Sequence, residues 1–327
     1  MSKTIRFYEK GDPSVLRYDE LPPRPLSDGE IRLKVEAIGL NRAEIMYRSG
    51  DYVEEALFPS RLGYEAAGTI VEVGPGVQDL RVGDRVAAIP SFSMNEYGTY
   101  GESIVLPAAA MVAIPENVSS QEAAAAWMQY LTAYLMIAFG KMKAGQAVLI
   151  TAASSSVGLA AIQFANALGA RPIATTRNSA KVQELLNAGA AAVIDTSTTP
   201  LAGEVMRLTN GKGADIIFDP VVGDLLPELC RAAADGAELI LYGALGGNTT
   251  TFPVLDALWK SLTMRVYRMA NLSPDQMEEA KLWISEGMRT RRFIPRIAKT
   301  FAFEEMVEAH RFLESNEQVG KIVVTVT

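Results

Sequence analysis

The sequence predicts an α/β chain in two parts: a β-rich, barrel-like N-terminal domain and a doubly wound parallel sheet. The first observation is the run of short strands broken by turns over the first ~115 residues. The second is the regular alternation of strand and helix after Ser119. The third is a change of pattern near Ser273, after which two helices and two strands remain. That tail must pack somewhere, and it is expected to complete the N-terminal domain. The expected domains are therefore residues 1–118, 119–271 and a return segment, 272–327.

In the first domain, Ile31 to Ile38 alternates Ile31, Leu33, Val35 and Ala37 against Arg32, Lys34 and Glu36, as a half-buried strand does. Ala66 to Val73, Arg85 to Ile89 and Tyr100 to Leu106 continue the pattern. Gly74-Pro75-Gly76 and Val82-Gly83-Asp84 are the turns. Ser119-Ser120-Gln121-Glu122 then has the capping form that starts a helix, expected over Ala123 to Phe139. Strand–helix pairs follow: Ala147–Thr151 with 156–168, Arg171–Thr175 with Ser179–Ala188, and Ala191–Ile194 with Leu201–Thr209. Ala214–Phe218 with Leu225–Ala234 and the strand Ala237–Tyr242 complete the series. A last strand within Thr263 to Met269 leaves an open sheet edge. The tail reads as helix Pro274–Glu286, strand Arg296–Phe301, helix Phe303–Ser315 and strand Lys321–Val326.

Composition excludes several classes. The 327 residues are 49% hydrophobic and 21% charged, as in ordinary globular domains. A net charge of −7 argues against a nucleic-acid backbone as partner. No run approaches the ~20 apolar residues of a membrane span, and the N-terminus lacks the plan of a signal peptide. One cysteine, Cys230, excludes an intrachain disulfide and points to a reducing, cytoplasmic setting. With a single histidine, His310, a metal centre would need carboxylates almost alone.

The stretch with most chemistry is Ala147 to Ala161: a buried strand, the turn Ser154-Ser155-Ser156-Val157-Gly158, then a helix. Its serines can cap the helix and leave the first N–H groups facing an anion, and Gly158 permits close helix–strand approach. Two of the usual fingerprint glycines are absent, so the turn reads either as a dinucleotide site or as a well-capped βα turn. The next strand ends Thr176-Arg177-Asn178-Ser179-Ala180-Lys181 with no carboxylate. An acid there would accept from a ribose 2′-OH, whereas Arg177 and Lys181 suit a 2′-phosphate. NADPH is thus the expected cofactor, against solvated charges that merely open a helix.

Several motifs fall in a recognisable order: Gly39-Leu40-Asn41-Arg42-Ala43-Glu44, Arg48-Ser49-Gly50-Asp51-Tyr52 and Leu62-Gly63-Tyr64-Glu65-Ala66-Ala67-Gly68. Gly83-Asp84-Arg85-Val86, Leu131-Thr132-Ala133, the serine turn and Val319-Gly320-Lys321-Ile322-Val323 follow. In this the chain resembles the medium-chain dehydrogenase/reductase superfamily, in its zinc-independent quinone oxidoreductase (zeta-crystallin-like) branch. The resemblance implies a GroES-like catalytic domain, a Rossmann domain and a two-fold homodimer. Where zinc relatives carry metal ligands, this chain has Asn41, Gly63-Tyr64-Glu65 and Gln129, so no metal is expected.

The resemblance further implies cofactor contacts at Asn41, Thr132, Val222, Gly243, Ala244 and Leu245, beside the turn and Thr176. Thr132 has the alternative of bonding its own helix backbone. Tyr52 matches a tyrosine beside the nicotinamide, as a contact or as the acid that protonates substrate; a tyrosine of ordinary pKa near 10 stays protonated at pH 7. Asn41 is expected to hydrogen-bond the substrate oxygen or the ribose, and Tyr64 to fill space. Glu65 is expected to pair with Arg48 or Arg61, His310 to be a surface or packing residue, and Cys230 a small buried hydrophobe. The implied activity is NADPH-dependent hydride transfer to quinones or α,β-unsaturated carbonyl compounds, electrophilic substrates that need no metal. An alcohol or aldehyde reductase and a non-catalytic NADPH-binding protein are the alternatives.

Overall fold

The structure is a computed structural model that describes residues 1–327. The chain begins β1 (Ser2–Arg6), β2 (Arg17–Leu21), β3 (Glu30–Gly39), α1 (Arg42–Ser49), β4 (Glu65–Val73), β5 (Arg85–Ala88), β6 (Ser103–Pro107) and β7 (Met111–Ala113). Then come α2 (Ser120–Ala124), α3 (Trp127–Ala138), β8 (Ala147–Ile150), α4 (Ser156–Ala167), β9 (Arg171–Thr176), α5 (Val182–Asn187) and β10 (Ala192–Asp195). After α6 (Leu201–Leu208), β11 (Ala214–Asp219) and α7 (Leu226–Ala232) run β12 (Ala233–Leu241), α8 (Val254–Trp259) and β13 (Thr263–Val266). The chain closes with α9 (Pro274–Arg289), β14 (Ile297–Ala302), α10 (Met306–Ser315) and β15 (Lys321–Thr325). No helix is long and apolar enough to cross a membrane.

Two units result: Met1–Met128 with Ser285–Thr327, and Gln129–Ile284. In the first, a sheet runs β14-β15-β3-β4-β5-β7, with β6 also on β3. The tail does complete this domain: β15 pairs antiparallel with β3, Val324 opposite Ile38, and carries β14 beside it. Two register shifts between β3 and β4 bend the long strand, so that it serves β15 at one end and β6 at the other. The second unit is a six-stranded, wholly parallel sheet ordered β10-β9-β8-β11-β12-β13. All four residues of β8 are buried, as a strand covered on both faces should be. The chain order reverses between β8 and β11, the switch point at which doubly wound sheets take ligands.

The unit divisions fall inside helices rather than at 118/119 and 271/272. Residues 120–124 go with the first unit because α2 lies on β3: a Cβ at Gly39 would collide with the Ala124 carbonyl oxygen. Residues 272–284 go with the second because Trp283 of α9 packs edge-on against Phe164 of α4, 4.6 Å between centroids. The helix expected over Ala123 to Phe139 is two helices. Four alanines favour continuation, but the chain breaks at Ala125-Ala126 and the Met128 amide donates to buried Glu65 at 2.8 Å. The helix expected to reach Ala234 stops at Ala232, where Ala233 enters β12. Its last carbonyls accept from the Lys260 ammonium, Cys230 at 3.1 Å and Arg231 at 2.6 Å.

Candidate active site

In the second unit the turn after β8 caps the following helix and leaves several donors unused. Ser155 caps α4, its hydroxyl oxygen accepting from the Gly158 amide at 3.1 Å. The amides of Ser156 and Val157 have no partner in the protein, and neither do the hydroxyls of Ser154 and Ser156. A Cβ on Gly158 would lie 2.5 Å from Ala153 Cα, so only glycine lets the helix start this close to the turn. Backbone donors and free hydroxyls at the start of a twelve-residue helix suit a pyrophosphate.

Around it the strand ends converge. At the end of β9, Thr176 is buried and accepts from the Asn178 amide at 3.1 Å. Arg177 is exposed, and its guanidinium has no hydrogen bond or ion pair. Lys181 is largely buried instead of standing open beside it. After β11, the buried Asp219 accepts from the Thr151 hydroxyl and, at 2.7 Å, from the Val222 amide. Val222 sits at φ 54°, ψ −133°, a conformation that costs a β-branched residue energy. The loop after β12 is bonded to the same segment, Leu245 N to Pro220 O at 2.9 Å and Gly246 N to Val221 O at 2.7 Å. Gly243 is partly buried and Ala244 and Leu245 are exposed at that end. Thr132 is half-buried on α3.

The first unit holds a buried polar network that the motifs only hinted at. Lys321 of β15 donates to Asn41 Oδ1 at 2.5 Å and to Glu65 Oε2. Glu65 therefore pairs with Lys321, not with Arg48 or Arg61: β15 lies beside β3 and delivers its ammonium to the start of β4. Asn41 Nδ2 donates to Glu65 Oε2 at 3.0 Å and Glu44 Oε1 at 3.1 Å. Glu44 Oε2 accepts from the Asn41 amide, and Oε1 from the Tyr64 amide at 3.2 Å. Burial raises the Glu44 carboxyl to about 7, against the lowering effect of Lys321. Asn41 is 7% exposed with both ends of its amide committed here, which makes it a hub of the network. The Asn41-x-x-Glu44 spacing of a capping box was the legible signal for Glu44.

Next to this network the Tyr52 and Tyr64 hydroxyls lie 3.3 Å apart. Burial, then the Tyr52 hydroxyl, pushes the Tyr64 phenol well above its ordinary value, so it remains protonated. Tyr64 is buried, as a space-filling ring would be, and its hydroxyl meets that of Tyr52. Rings continue on either side, Tyr47 at 6.2 Å from Tyr52 and Phe92 at 5.8 Å from Tyr64. His310 is fully buried: Arg48 donates to its Nδ1 at 2.7 Å, and its Nε2 lies 3.0 Å from the Tyr100 hydroxyl. Arg48 cannot accept, so the proton is on Nε2. Cys230 is free and buried.

Residues 27–116 match the alcohol dehydrogenase GroES-like domain, and residues 156–286 the family described as zinc-binding dehydrogenase. A quinone oxidoreductase of Pseudomonas aeruginosa is 33% identical over 329 residues, 99% of each chain. Among solved structures, an NAD-dependent alcohol dehydrogenase matches with TM-score 0.92 at 30% identity, over 99% of this chain and 100% of its own. The Escherichia coli quinone oxidoreductase complexed with NADPH matches with TM-score 0.91 at 28% identity, over 99% of each. A zinc ion does not suit the donor set around Asn41: the amide is spent internally and Glu65 holds an ammonium. Nowhere do three His, Cys, Asp or Glu side chains gather as a metal site.

Proposed function

The chain belongs to the medium-chain dehydrogenase/reductase superfamily, in its quinone oxidoreductase branch, and we propose that it is an NADPH-dependent reductase of quinones or α,β-unsaturated carbonyl compounds. The observation that carries this reading is the unpartnered Arg177 guanidinium at the end of β9, in a segment, residues 176–181, that holds no carboxylate, with free donors at the serine turn. Ser154, Ser156 and the amides of Ser156 and Val157 hold the pyrophosphate, and Thr176 and Arg177 the 2′-phosphate. Val222, Gly243, Ala244 and Leu245 line the far half of the cofactor, with Thr132. Bound NADPH supplies the hydride.

The remaining chemistry falls to the chain's own groups. Hydride addition to a quinone or enone leaves negative charge spread over a conjugated system, so a proton donor suffices. Tyr52 is that donor, with the neutral Tyr64 hydroxyl hydrogen-bonded behind it. The Tyr52, Tyr64 and Phe92 rings offer flat conjugated substrates an aromatic wall. Asn41 acts by position: through Glu44 and Glu65 it holds the segment that carries Tyr64. Two copies are expected to associate along the open edge at β13.

The test is NADPH and NADH oxidation with panels of quinones, enals and simple aldehydes. Turnover is expected with the first two panels and NADPH. Turnover with simple aldehydes alone, or none despite NADPH binding, overturns the reading. Arg177→Asp should move cofactor preference toward NADH by at least tenfold in kcat/KM; an unchanged preference removes the 2′-phosphate assignment. Tyr52→Phe should lower kcat about 10²-fold, the lower end of what a positioned acid contributes, and full turnover would remove Tyr52 from that role.

A further inference from the structure

A cavity of ≈40 Å³ opens in the first unit beside β1, β2 and β6. Three arginines line it, Arg24, Arg32 and Arg61, together with the hydroxyl residues Ser2, Thr4 and Ser103; no acidic residue does. Arg24 is paired with Glu30 at 2.7 Å and Arg32 with Glu72 at 2.7 Å. Nearby Arg6 is paired with Asp19 at 2.5 Å. Arg61 has no such partner: it is half-buried, and its guanidinium makes no hydrogen bond or ion pair. The side chains of Ser2, Thr4 and Ser103 likewise have no hydrogen bond within the protein.

A guanidinium withdrawn from water and unopposed is held at an electrostatic cost. Burial, then the charges of Arg24 and Arg6, depresses the Arg61 pKa below its ordinary value, the sign expected of a cation facing cations. Of the three arginines at the cavity only Arg61 lacks a carboxylate partner, in a chain whose net charge is −7. An anion in the cavity would meet a forked donor and hydroxyl donors at once, the arrangement that binds oxyanions most strongly. Size narrows the choice. A water needs about 10–15 Å³ of such space, so the cavity has room for about three to four water-sized groups, on the scale of the four oxygens of one tetrahedral oxyanion and too small for a nucleotide.

We propose that this cavity is a binding site for a small inorganic oxyanion of the phosphate or sulfate class, held by Arg61 with Thr4 and Ser103. The site is separate from the nucleotide receptor of the second unit. Arg61 follows the bridge between Ser60 and Phe7 and precedes the segment Leu62 to Glu65. Occupancy therefore ties the N-terminal hairpin to the chain that carries Tyr64.

The full-length protein is titrated with inorganic phosphate by calorimetry and by thermal shift, at ionic strength held constant with sodium chloride. Saturable binding with a rise in Tm is expected. Arg61→Gln should weaken binding at least tenfold. Ser103→Asp, which places a carboxylate in the cavity, should abolish the response while circular dichroism shows a folded chain. Arg177→Asp, which alters only the nucleotide receptor, should keep a saturable phosphate response, and glycerol phosphate should bind at least tenfold more weakly than phosphate. No saturable binding, or a response unchanged in both cavity variants, overturns the proposal. A response lost only in Arg177→Asp assigns phosphate to the nucleotide receptor and overturns it equally; tighter binding of glycerol phosphate overturns the inorganic assignment.

Discussion

Glu44 lies in the first unit without solvent contact, and burial raises its carboxyl from 4.5 to about 7 despite the Lys321 ammonium and beside the Glu65 carboxylate. His310 is as deeply buried, and burial together with Arg48 lowers it from 6.5 to about 3. Their effects on stability oppose one another. Between pH 4.5 and 7 the unfolded chain has lost the Glu44 proton that the folded chain keeps, so stability falls as pH rises, by about 1.4 kcal/mol per unit. Between pH 3 and 6.5 the unfolded chain holds a His310 proton that the folded chain refuses, so stability rises with pH at the same rate. In the shared window the two slopes cancel. Relative to the parent, Glu44→Gln should therefore gain about 2 kcal/mol of unfolding free energy from pH 5 to 6.5, and His310→Gln should lose about as much. Urea unfolding at four pH values reads both, and comparison at each pH removes the background of other carboxylates. Two variants that keep the parent's slope would show that these groups titrate as if exposed. Neither role was open to sequence reasoning in full. The Asn41-x-x-Glu44 box was visible, but the partners of His310 lie 210 and 262 positions away, and Lys321 reaches Glu65 from 256. A lone histidine on a helix carries no local sign of such partners.

The loops after β11 and β12 act as one element. Asp219 spends one carboxylate oxygen on Thr151 and the other on the Val222 amide, while Val222 is held at positive φ and its neighbours are bonded to Leu245 and Gly246. A valine there keeps its strain, about 1–3 kcal/mol, only while the surroundings impose it. Asp219→Ala removes the acceptor and should let Val222 relax to negative φ. On the proposed reading, NADPH affinity should fall about tenfold, whereas 2′,5′-ADP, which lacks the nicotinamide half, should bind as before. Equal weakening of both ligands would mean that Asp219 only supports the fold; no weakening of NADPH would remove the loop from cofactor binding. At this scale the sequence was most informative where burial and period agree. β3, β4, β8 and β11 lie within a residue or two of their expected positions. It failed where a distant group decides a boundary: Glu65 starts α3 where alanine propensity would run a helix through, and α7 ends early with its carbonyls on Lys260.

The order of parts along the whole chain was legible, including the return of the tail, because β15 is an apolar strand with no neighbour of its own in sequence and β3 has an end to receive it. Its unit boundaries were less so, since α3 and α9 each bridge a division. The second unit leaves one conspicuous debt. Its sheet ends at β13, whose outer edge has no strand beside it, and Val266 there is 77% exposed. On α8, just before it, Leu255, Leu258 and Trp259 are 67%, 65% and 80% exposed. Monomeric proteins seldom leave an unpaired edge and an adjoining apolar helix open together. Two-fold pairing of β13 with its counterpart would satisfy the edge, and it would cover both helices, because a two-fold axis brings the same patch to itself. Light scattering should then give twice the 35.3 kDa of the chain, and Val266→Asp, which sets like charges across the axis, should give the single mass with secondary structure intact. A parent at the single mass, or a Val266→Asp variant that stays at the double mass, would place the interface elsewhere or abolish it.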